Sequence, residues 1–135
     1  MKKSEIIPRF LMPLAVQPLK DGTWQLVAQL QYESKVLGRI ITVPAGFKTD
    51  FASVPRWPLV FWLTGNTAHE AATIHDYLYK THESTRYKAD ETFAEAMRVT
   101  GMPMWRCSVM YVAVRLKGSR AYKTGPERLA RDKQA

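Results

Sequence analysis

Cysteine occurs once, at position 107. One thiol excludes an internal disulfide and any zinc site built on several cysteines. No run of about 18 apolar residues exists, so no membrane-spanning helix is predicted. The opening Met1-Lys2-Lys3 is followed by Glu5, Pro8 and Arg9 instead of an apolar stretch, which is not the pattern of a signal peptide. There is no glycine-rich phosphate loop, no dinucleotide fingerprint and no Gly-x-Ser-x-Gly elbow. His69-Glu70 does not open a His-Glu-x-x-His zinc helix, because residue 73 is threonine. Nothing resembles a nucleic-acid-binding module, so nucleic acid is not an expected partner. Internal repeats and low-complexity stretches are also missing.

What is present is enough to fold. The chain has 135 residues, 46% of them hydrophobic, with four tryptophans, which suits one domain with a real core. Its net charge is +8. Much of the excess lies after residue 114, in Arg115, Lys117, Arg120, Lys123, Arg128, Arg131 and Lys133. The composition therefore divides the chain into a single domain, residues 1–118, and a basic, mobile tail, residues 119–135, with a solubilising role.

Pro8, Pro13 and Pro18 keep the first 19 residues irregular, with short extended pieces around Phe10–Gln17. Asp21-Gly22 marks a turn. From Trp24 to Tyr32 the chain alternates, with Trp24, Leu26, Ala28, Leu30 and Tyr32 on one face, as in a half-buried strand. Arg39–Val43 is β-branched and predicts the next strand. Trp57–Leu63 is an aromatic, apolar run, predicted as a short helix or turn. Thr67 and Glu70 fit a capping box, and Ala68, Ala71, Ala72, His75 and Tyr79 then share one face of a helix. A second helix is predicted from Thr85 to Thr100, with Arg86, Asp90, Phe93 and Met97 as its stripe and Gly101 at its end. The short link between these helices makes them an antiparallel hairpin, which brings Asp90 near His75 or Tyr79. A third helix is predicted over Met104–Lys117, with Trp105, Val109, Val112 and Leu116 on its buried side. Strands first and helices afterwards give an α+β fold: a small antiparallel β-sheet in the N-terminal half, packed with the helical hairpin and a third C-terminal helix.

Candidate chemistry gathers on the hairpin. A neutral imidazole at His75 could take a proton from water. A carboxylate on its other nitrogen, Asp90, would fix the tautomer. Asp76 faces a neighbouring side of the helix and could hold a hard cation such as calcium. Asp50 could be a second metal ligand or an orienting carboxylate; equally, Thr49, Asp50 and Ser53 could bond neighbouring backbone and hold a tight turn before Arg56. His75, Tyr79, Arg86 and Asp90 could likewise be a satisfied polar network that locks the hairpin, the reading that spacing alone favours.

Two resemblances add to this. Val43–Phe47, Asp50-Phe51-Ala52-Ser53-Val54-Pro55-Arg56, Ala71–Tyr79, Ala89-Asp90 with Phe93 and Met97, and Ala113-Val114-Arg115-Leu116 resemble a family of phage and prophage proteins, domain of unknown function 1353, over roughly residues 24–118. That resemblance implies a bacteriophage or prophage origin. A virion or tail-associated component, or an accessory interaction protein, is then expected. Other phage proteins would be its partners, and it would be made in the host cytoplasm with possible incorporation in the virion. Separately, His75-Asp76-x-x-Tyr79 followed by Ala89-Asp90-x-x-Phe93 is similar to the catalytic helix pair of phospholipase A2 enzymes. That similarity implies a calcium-dependent hydrolase acting on lipid esters. His75 would be the base, Asp76 the calcium ligand, and Tyr79 and Asp90 the support of the imidazole. The glycine-rich calcium loop and the bracing cysteines of those enzymes have no counterpart here. The interaction protein is ranked first and the hydrolase second.

Overall fold

A computed structural model describes residues 5–49 and 69–134. Asp50, Ser53, Arg56, the Trp57–Leu63 run and the Thr67 cap lie outside the described residues. Among the described residues, six short strands come first: β1 (Arg9–Phe10), β2 (Val16–Pro18), β3 (Trp24–Leu26), β4 (Leu30–Ser34), β5 (Arg39–Val43) and β6 (Lys48–Thr49). Five helices of the described residues come later: α1 (His69–Thr81), α2 (Arg86–Val99), α3 (Met104–Lys117), α4 (Ser119–Lys123) and α5 (Gly125–Gln134). The fold is α+β.

The strands form two antiparallel sheets instead of one. One has the order β1-β4-β5 and the other β2-β3-β6. The continuous strand expected from Trp24 to Tyr32 is broken at residues 27–29, and its halves belong to different sheets. Backbone bonding explains the break. Leu26 donates to the Phe47 carbonyl at 2.9 Å while Val27 donates to that of Ala15 at 3.0 Å, so the chain is pulled two ways. The alternation survives on either side: Leu26, Leu30 and Tyr32 are buried. Only Ala28, too small to add much core area, turns outward.

The hairpin of α1 and α2 packs on the sheets and on α3. Thr85 caps α2 by accepting from the Lys88 N–H. Gly101, with φ +88°, ends it: its N–H donates to the Arg98 carbonyl and that of Met102 to Met97, the paired bonds of a Schellman motif. Phe93, Met97, Ile74 and Leu78 are fully buried against Tyr32, Ile41 and Val43. Buried Glu95 bolts α2 to the first sheet. It accepts hydrogen bonds from Tyr32 Oη at 2.8 Å, Ser34 Oγ at 3.0 Å and the Val36 N–H at 3.1 Å.

Two expectations differ from the structure. Trp105, Val109, Val112 and Leu116 do not face the core; they are 51, 39, 51 and 77% exposed. Cys107, Met110 and Val114 are buried in their place. Helix α3 is apolar on two opposite sides, and periodicity alone does not say which one packs. Residues 119–134, expected as a tail, form α4 and α5. Gly118 caps α3, its N–H donating to the Val114 carbonyl at 2.8 Å, and α4 begins at the next residue. Helix α5 then lies along α1. That close approach needs Gly125, since a Cβ there would sit 2.0 Å from the Tyr79 carbonyl oxygen.

Candidate functional site

The hairpin geometry brings His75, Tyr79, Arg86 and Asp90 together, and Asp90 is the hub. His75 and Tyr79 stand one helical turn apart on α1 and face the same way. Asp90 sits one turn into α2, opposite them. Its Oδ1 lies 2.6 Å from His75 Nε2 and accepts from Tyr79 Oη at 2.6 Å. Its Oδ2 accepts from Arg115 Nη1 of α3 at 2.7 Å and lies 3.9 Å from Arg86 Nε. Arg86 Nη2 donates to the Val114 and Arg115 carbonyls at 2.8 and 2.6 Å. Three helices therefore meet on one carboxylate.

Burial alone would raise the Asp90 pKa. Hydrogen bonds from His75 and Tyr79, the charge of His75 and the bond from Arg115 outweigh it, and the carboxyl is held below its ordinary value. An ionised carboxylate only accepts, so His75 Nε2 carries the proton in this contact. The Tyr79 hydroxyl is pushed well above its ordinary value, first by burial and then by its bond to Asp90. It stays a donor.

The network is sealed. His75 is 1% exposed and Asp90 0%. The imidazole lies between the rings of Tyr79 and Phe93, with centroids 4.1 and 4.7 Å away. Gly118 closes over Tyr79, where a Cβ would fall 2.6 Å from the hydroxyl.

Asp76 is on a different side of α1 and belongs to a second cluster. It is buried, with Lys80 Nζ 3.4 Å from its Oδ2 and Arg128 Nη1 3.6 Å from its Oδ1. Two cations occupy the space around its oxygens. A calcium ion bound there would have to displace both. Among the described residues, no group of three or more His, Cys, Asp or Glu could hold a metal ion. Thr49 is buried in β6, beside this second cluster. Asp50, Ser53 and Arg56 are outside the described residues.

Sequence reasoning missed Arg115, which read as part of a helix packed by its other face, and Arg128 and Asp132, because residues 119–135 read as a charged tail. The Asp76–Lys80 pair carried a legible signal, opposite charges four apart on one helix.

This architecture defines a small α+β protein whose helices are tied through a buried carboxylate. Residues 24–114 match the family described as a protein of unknown function (DUF1353), and the chain belongs to that family. It is also 33% identical over 78 residues to the uncharacterized protein y4jT of Sinorhizobium fredii. That alignment covers 56% of this chain and 23% of the relative, so the chain spans about a quarter of that protein's length. No solved structure matches it.

Proposed function

We propose that this protein works by binding another protein, as an accessory or virion-associated component of phage or prophage origin. The observation that supports this is the outer face of α3. Trp105, Val109, Val112 and Leu116 recur at i, i+4, i+7 and i+11 and stand between 39 and 77% exposed. Single exposed apolar residues are ordinary, but a stripe of four large ones on a helix points to an interface. A fitting partner is a protein with an apolar groove. No helix of the described residues is long and apolar enough to cross a membrane.

The test is photo-cross-linking from position 105, in cells that express the neighbouring genes. A single protein adduct, lost in Leu116→Lys, is the expected result. Equal cross-linking from the exposed position 88 on α2 would defeat the proposal.

The second reading is a calcium-dependent hydrolase of lipid esters, with His75 as base. The 2.6 Å contact between His75 and Asp90 favours it. The burial of both groups and the cations around Asp76 count against it. Calorimetry separates the two readings: the hydrolase requires saturable calcium binding that Asp76→Asn abolishes.

A further inference from the structure

A recess of about 240 Å³ opens where β3, β6, α1 and α5 meet, lined by Thr23, Lys48, Thr49, Lys80, Arg128, Arg131 and Asp132. Four of these residues are cations, drawn from three elements far apart in the sequence. Asp132 lines the recess, Asp76 lies beneath it, and Asp21, whose carboxylate is held by Thr23 and feels the charge of Lys48, stands at its edge. Counting the three carboxylates, the group keeps a formal excess of one positive charge.

The cations fall into two sets. Lys80 and Arg128 are already engaged. Lys80 is buried, and its ammonium donates to the Lys48 carbonyl at 3.0 Å and Asp132 Oδ2 at 2.9 Å. Arg128 donates to the Ala121 carbonyl at 2.7 Å and faces Asp76. They form a fixed floor. Lys48 and Arg131 make no ion pair with a carboxylate of the described residues, and they stand at the rim. A rigid cationic floor with two uncommitted cations above it attracts a compact anion with several acceptor oxygens.

From this arrangement we infer that the recess binds a small phosphate monoester. Its size sets the class. Pockets for drug-sized ligands run from about 300 to 1,000 Å³, so 240 Å³ holds a phosphoryl group with a small organic part. Arg131 supplies the planar fork that matches phosphate oxygens, and Lys48 supplies a point charge. The Thr23 hydroxyl lines the same space but is already engaged, donating to Asp21 Oδ1. The site does not depend on the α3 face and stands or falls separately from the protein-binding proposal.

The test is titration calorimetry at fixed ionic strength with inorganic phosphate and then glycerol 3-phosphate. The proteins are wild type, the double variant Lys48→Ala/Arg131→Ala, and Lys88→Ala as a remote control. Neither rim side chain anchors the fold, so the double variant should melt within a few degrees of wild type. The expected result is saturable binding that weakens at least tenfold in the double variant and is unchanged in Lys88→Ala. No saturation with either probe, or equal weakening in the control, would overturn the site. Vesicles containing phosphatidic acid form a further arm. Their binding alongside the soluble probes, with the same loss in the double variant, would assign the monoester to a lipid headgroup. Vesicle binding alone would overturn the recess in favour of a diffuse basic surface.

Discussion

Replacing Asp90 tests whether the buried network is architecture. Asp90→Asn keeps the shape but turns one oxygen into a donor. Turned toward Arg115, the amide meets a guanidinium that is one-third exposed and can swing into water. Turned toward His75 and Tyr79, it meets two buried groups that have no such escape. The first orientation is cheaper and sacrifices one charge-assisted hydrogen bond, about 1.5–3 kcal/mol. Asp90→Ala strands His75 and Tyr79 as well, and belongs with broken buried pairs at about 3–5 kcal/mol. Urea unfolding followed by circular dichroism at neutral pH gives both numbers, read as midpoint shifts at constant slope. Acid supplies the sign. The folded Asp90 pKa lies below its ordinary 3.8, so its contribution is complete above that value and is lost as pH falls through the lower, folded one. The stability gap between wild type and Asp90→Asn should therefore hold constant down to about pH 5 and shrink in stronger acid. A cost below about 1 kcal/mol for Asp90→Ala, or a gap that persists in strong acid, would refute the reasoning.

Three further outcomes are expected. Gly125→Ala drives a Cβ into the Tyr79 backbone, which has no rotamer to yield; it should cost about 1–3 kcal/mol and make residues 119–134 protease-sensitive. Glu95→Ala leaves three donors near β4 without their acceptor and should lower stability by about 3 kcal/mol in the same urea assay, whereas Glu95→Gln should recover part of it. Trp105→Lys should change the unfolding free energy in the same urea assay by no more than about 0.5 kcal/mol; a large loss would mean that the stripe is packed in solution.

Local signals carried much of the fold. The hairpin was legible because His75, Tyr79, Arg86, Asp90 and Gly101 sit at helical spacings and at a helix stop. That also placed Asp90 beside His75. The break at residues 27–29 was not legible, because it depends on carbonyls of Ala15 and Phe47 supplied by distant segments. The orientation of α3 was hidden for another reason. Val109 and Val112 are as apolar as Met110 and Val114, and only the position of α2 decides between them. Residues after 118 showed charge first, and their docking rests on Gly125 and on single ion pairs that composition does not reveal.

Lys80 is tied to Lys48 and to Asp132, across 32 and 52 residues, whereas His75 reaches Asp90 across only 15. Short loops close at lower entropic cost, so the hairpin is expected to form first and α5 to dock afterwards as a clasp. Amide protons of α5 should exchange through openings that leave α1 and α2 protected. In such an opening Asp76 and Lys80 are wetted together, and because they carry opposite charges the exposed face stays electrically balanced while it waits for the clasp to return.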